Sequence, residues 1–148
     1  MIKINYLFII LFSLLLISCS GDDNPTETQS PLNGEWEIFQ SVAGGSSPYS
    51  LEVNLNLTFT GNNITGTGTI IHSESSGGAT FTVTIQDNIS GTYNDPSITV
   101  TAANSSAGSS FTYNGNWNTK NVNFTGTVTV NDGNNEFTYQ NVSLFKND

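Results

Sequence analysis

From residue 34 onward apolar and polar residues alternate with a period of two, and this limits what the chain can fold into more than any other feature. In the clearest stretch Leu51, Val53, Leu55, Leu57 and Phe59 fall on one face, and Glu52, Asn54, Asn56, Thr58 and Thr60 on the other. A helix would scatter both sets around its axis, whereas a half-buried antiparallel strand keeps them apart. The pattern returns at Phe81-Val83-Ile85, Ile98-Val100-Ala102, Phe111-Tyr113-Gly115-Trp117 and Phe124-Gly126-Val128-Val130. Between these runs stand turn residues such as Gly61-Asn62-Asn63, Asn94-Asp95-Pro96-Ser97 and Asp132-Gly133-Asn134-Asn135. No segment after residue 34 carries a helical period. The expectation is an all-β domain, an antiparallel up-and-down meander of eight or nine strands.

So many twisted strands with one apolar face must close on themselves or split into two sheets. A recurring apolar-x-Gly-x pattern favours closure. It occurs at Ile64-Thr65-Gly66, Ile89-Ser90-Gly91, Tyr113-Asn114-Gly115 and Phe124-Thr125-Gly126, where spacing of two sets each glycine on the apolar face. An inward glycine lets a strand coil sharply and leaves room for a large side chain opposite, as a small barrel requires. A closed barrel is therefore expected, with a β-sandwich containing glycine bulges as the alternative. In the last strand Phe137 and Tyr139 fall on one face and Val142 and Leu144 on the other, which a bulge near Asn141 would reconcile. The outer face is Thr, Asn and Ser, the reverse of the alternation in a transmembrane barrel.

The opening Leu32-Asn33-Gly34-Glu35-Trp36, followed by a strand meander, resembles the calycin superfamily, which contains the lipocalins, the avidins and lipocalin-like domains of bacterial lipoproteins. The resemblance implies a closed lipocalin-like barrel in which Gly34 and Trp36 close one end. The resemblance further implies that Lys146 on the final strand would cover the Trp36 ring as a cation–π partner, although the chain departs from the family in having no arginine for that place. Phe59, Phe81, Val83, Tyr113, Trp117 and Phe124 belong to the inward set. They would line a cavity for a small apolar molecule or equally fill the interior as core, since eight strands enclose a space just wide enough for either.

At the N-terminus Lys3 precedes an apolar run over residues 6–17 (YLFIILFSLLLI), too short to span a bilayer comfortably and suited to the h-region of a signal peptide. Leu16-Ile17-Ser18-Cys19 resembles the lipobox of bacterial lipoproteins. That implies cleavage before Cys19 and a lipid on its sulfur. Cys19 is the only cysteine and so has no internal disulfide partner. Residues 20–31 are polar and acidic and read as a flexible tether reaching at most about 40 Å. By analogy with Gram-negative lipoproteins, Ser20 after the cysteine favours the outer membrane, and Asp22-Asp23 looks like an acidic signal for export to the cell surface. The expected organisation is signal peptide 1–18, lipidated tether 19–31 and barrel 32–148.

Charge and composition exclude several functions. The chain has 3 basic and 12 acidic residues. Beyond the signal segment only Lys120 and Lys146 are basic, so nucleic acid is excluded as a partner. His72, the single histidine, lies beside a Gly/Ser-rich stretch and reads as an exposed loop residue. No nucleophile or acid–base set accompanies it, so no enzyme is expected. No cofactor is implied. One histidine and a lipidated cysteine leave no zinc site, and the Asp132-Gly133 segment reads as a hairpin turn in preference to a calcium loop. Two functions stay open: a lipid-anchored carrier of a small apolar molecule, or a surface protein-interaction or inhibitor module using loops 43–50 and 104–110.

Overall fold

The computed structural model describes residues 30–42, 48–76, 79–118 and 123–147. The signal segment, Cys19, most of the tether and the tip of the 43–50 loop lie outside the described residues, as do the side chains of Phe81 and Val83. Eight strands follow one another as β1 (Gly34–Val42), β2 (Tyr49–Thr60), β3 (Asn63–Ser76), β4 (Ala79–Asn94), β5 (Ser97–Asn104), β6 (Ser109–Asn118), β7 (Asn123–Asn131) and β8 (Glu136–Lys146). Each pairs antiparallel with the next, and β8 returns to β1, closing the barrel. The inward-facing apolar residues of the alternating runs, from Leu51 and Val53 to Val128 and Val130, form one buried core.

The ladders differ greatly in length. β2 and β3 pair from Thr60–Asn63 to Tyr49–Glu74, and β3 and β4 from Asn63–Thr92 to Ser76–Ala79. By contrast β4 and β5 pair only between Asn94–Ser97 and Ser90–Thr101, and β1 meets β8 only at Trp36–Lys146 and Glu37–Phe145. Both short ladders lie at the same end of the barrel. The molecule is therefore two four-stranded halves, β1–β4 and β5–β8, joined on both sides at one end and splayed at the other.

Two backbone features make the closure possible. Gly115 on β6 faces Gly126 on β7, and a Cβ on Gly126 would run into the Asn114 carbonyl and the Gly115 Cα. A Cβ on Gly115 would lie 2.6 Å from the Tyr113 hydroxyl. The space freed is thus used by the tyrosine two residues back on the same strand, whose hydroxyl donates to the Val142 carbonyl (3.3 Å), and not by a residue opposite. On β8 the register steps from Gly126–Val142 to Thr127–Gln140, leaving Asn141 as a bulge with φ of 59°. The extra residue turns Phe137 and Tyr139 to the same side as Val142 and Leu144, as their face conflict in sequence requires.

Candidate functional site

The joined end is a packed aromatic cluster. Trp36 is buried with ring centroids 5.4 Å from Phe124, 6.3 Å from Phe59 and 6.4 Å from Trp117. Its indole N–H donates to the Leu32 carbonyl (2.9 Å), and the Asn33 side-chain oxygen accepts from the Phe59 amide (2.7 Å). The two residues before β1 are thereby tied across the barrel end. Lys146 stands opposite Trp36 in the β1–β8 register, and its side chain passes Gly34, where a Cβ would lie 3.7 Å from the lysine Cε. Gly34, Trp36, Lys146, Phe59, Trp117 and Phe124 are thus brought to one end, while Tyr113 lies deeper in the core. Phe59, Tyr113 and Phe124 are buried, and Trp117 packs against them partly exposed.

At the splayed end the expectation for His72 is overturned. It is fully buried on β3, paired with Leu51 and Val83, and not in an exposed loop. Its parity follows Ile64, Gly66, Gly68 and Ile70, so the period-two count already placed it inside. The Ser/Gly stretch after it obscured that signal, because β3 continues to Ser76 through residues that otherwise read as loop.

The His72 Nε2 lies 2.5 Å from the hydroxyl of Tyr139 on the opposite half, and its Nδ1 is buried without a hydrogen-bond partner. In either ring tautomer Nε2 and the tyrosine oxygen share one hydrogen bond, and in neither does Nδ1 gain a partner among the described residues. Burial lowers the imidazole pKa, an effect the Asp132 carboxylate opposes. The Tyr139 phenol is raised by burial, with Glu74 and Tyr49 adding to the effect. Tyr139 also stacks on Tyr49 (4.3 Å, 26°), which accepts from the Gln40 amide (2.9 Å). A polar and aromatic chain, Gln40–Tyr49–Tyr139–His72, therefore braces the two halves where their backbones no longer pair.

Outside this brace, β1 pairs with β8 at no residue beyond Glu37. The Glu35 carbonyl accepts from the Asn147 amide on the β8 side, so by alternation the amides and carbonyls of Glu37, Phe39 and Ser41 also point that way. Among the described residues, those of Phe39 and Ser41 reach no paired strand. The exposed large apolar side chains among the described residues are Phe39 (73 %), Val42 (45 %) and Phe145 (44 %), and all three lie on the two strands bordering this seam.

Elsewhere an open hollow of about 350 Å³ is bordered by Glu35 on β1, Asn54 and Asn56 on β2, Thr67 and Thr69 on β3 and by Asn147, and a second of about 520 Å³ by Thr67, Thr69, Gln86 and Asn88 on β3 and β4. They lie outside the barrel wall. The Asp132 carboxylate accepts from the amides of Asn134 (2.8 Å) and Asn135 (2.6 Å), so its oxygens hold the β7–β8 turn, and these bonds lower its pKa. In the 104–110 loop the Asn104 side chain likewise accepts from the Ser106 and Ala107 amides. No protein-family model, curated protein or solved structure matches the chain.

Proposed function

We propose that this chain is a lipid-anchored lipoprotein of the outer membrane or cell surface whose barrel is a filled scaffold for binding other proteins. The observation that carries this reading is the interior. Of the inward residues that would line a ligand cavity, those at the joined end instead contact one another: Phe124 lies within ring-contact distance of Trp36, Trp117 and Tyr93, and Phe59 of Trp36 and Tyr93. A small apolar ligand would have to displace this cluster, losing the few kcal/mol that each buried aromatic side chain contributes. The two hollows lie on the outer wall, where the amides and hydroxyls of Asn54, Asn56, Thr67, Thr69, Gln86 and Asn88 border them.

The anchoring part of the proposal rests on the lipobox-like Leu16-Ile17-Ser18-Cys19 and on the acidic composition, which gives the domain no electrostatic attraction to anionic headgroups. Native mass spectrometry of the full chain, purified in detergent from a Gram-negative host, tests the scaffold. The expected spectrum contains the lipidated polypeptide alone. A stoichiometric small molecule retained after detergent is stripped would return the barrel to the class of carriers.

A further inference from the structure

We propose that the free edge of β1 at the β1–β8 seam receives an extended, cationic strand of a partner protein, adding it to the sheet through the backbone groups of Phe39 and Ser41. The inference rests on the reading of the barrel as an interaction module and gives that module a binding site. Three independent features coincide there. The β1–β8 ladder stops at Glu37, so the next residues on β1 present edge groups that no described strand pairs, the template for strand addition. The exposed large apolar residues of the described chain, Phe39, Val42 and Phe145, border the same edge. Behind it the Tyr49–Tyr139 stack forms an aromatic wall.

The chemistry of the occupant follows from charge and parity. On the outer face Phe39 is flanked by Glu37 two residues before it and by Glu52 directly across on β2. Asn147 donates to the Glu37 carboxylate (3.1 Å) and Asn54 to that of Glu52 (3.2 Å), so neither acid has a cationic partner in these bonds. A lysine or arginine projecting outward from the added strand would lay its aliphatic stem on Phe39 and its cation between the two glutamates. Residues of the opposite parity would face the Tyr49–Tyr139 wall and are apolar. The fitting segment therefore alternates basic and apolar residues. A second copy of this chain is the poorer occupant, because it brings the same excess of acidic over basic groups to the seam.

The probe is a synthetic octapeptide alternating Lys and Val, with the block peptide Lys4Val4 as a control of equal charge. Both are titrated against the full chain in nonionic detergent, with binding read by fluorescence anisotropy and amide hydrogen exchange read residue by residue. The alternating peptide is expected to slow exchange at Phe39 and Ser41 and to bind at least tenfold more tightly than the block peptide. Ser41→Pro removes an amide that points at the seam and leaves the β1–β2 ladder intact, so it should weaken binding about tenfold with an unchanged circular dichroism spectrum. Phe39→Ser should weaken it without altering the edge.

Equal binding of the two peptides, unchanged exchange at Phe39 and Ser41, or indifference to Ser41→Pro would each overturn the proposal. So would protection of those amides in a peptide-free dimer, which would assign the edge to a second copy. A carried small molecule seen by native mass spectrometry fails the scaffold reading while leaving this edge chemistry as it was; a silent edge fails this inference alone.

Discussion

Trp36 shows how much one side chain contributes to closing this barrel. It is buried on the short β1–β8 ladder, contacts aromatic rings from β2, β6 and β7, and uses its indole N–H to hold the Leu32 carbonyl. Trp36→Ala would lose the burial and leave a cavity at the one end where the halves are joined on both sides. A loss of about 3–5 kcal/mol is expected, measured by chemical denaturation. His72 gives a residue-scale prediction of a different kind. Its folded pKa lies below the ordinary value near 6.5, so the unfolded chain takes up a proton that the folded chain refuses. The associated stability is whole above that value and is lost as pH falls through it toward the lower folded pKa. Asp132 is also lowered, but its contribution is lost only further down, in the carboxylate range. Between about pH 7 and pH 5 the wild-type midpoint in denaturant should therefore fall. His72→Gln, which keeps a hydrogen-bonding group for Tyr139 but does not titrate, should flatten that slope. A slope unchanged by the substitution would remove His72 from the account.

At the scale of the strand, the bulge on β8 decides which residues reach the interior. Asn141 holds φ at 59°, a conformation that asparagine tolerates and a β-branched residue resists. Asn141→Gly should leave stability nearly unchanged, and Asn141→Ile should cost about 1–2 kcal/mol by thermal or chemical melting. This element was legible in the sequence because Phe137 and Tyr139 disagree in parity with Val142 and Leu144, and one inserted residue resolves the conflict. The strand succession was legible for the same reason, since alternation states which face is inward; the grouping of Gly34, Trp36 and Lys146 came only from the resemblance to the calycins. The lengths of the ladders were not. Alternation says nothing about how far two neighbouring strands stay paired, so the separation of β4 from β5 and of β1 from β8 had no sequence signal. The Gln40–Tyr49–Tyr139–His72 brace was missed with it. Its members are polar or amphipathic residues at strand ends, where a pattern of apolar positions fades. Phe39 offered the one visible hint, as a large aromatic residue on the outward parity of β1.

For the whole molecule, the proposed anchor and the domain would divide the work. The domain's outward residues are largely Asn, Thr and Ser, and its acidic balance gives it no hold on anionic lipid, so in the proposed lipoprotein the attachment would fall to Cys19. The preceding apolar run of residues 6–17 would extend about 18 Å as a helix against a hydrocarbon core of about 30 Å, which suits a cleaved signal better than a permanent span. Two or three acyl chains on one residue, at about 0.8 kcal/mol per buried CH₂, would hold the domain stably. Location alone is a poor readout, because an uncleaved signal segment also keeps a chain at the membrane. Covalent state is decisive. Intact-mass measurement of the purified chain should show residues 1–18 removed and a lipid mass added, with no thiol available to maleimide. Cys19→Ala should retain those residues and gain no lipid. A wild-type chain that is cleaved nearby, carries no lipid and reacts stoichiometrically with maleimide would make residues 1–18 an ordinary export signal and leave the barrel without an anchor.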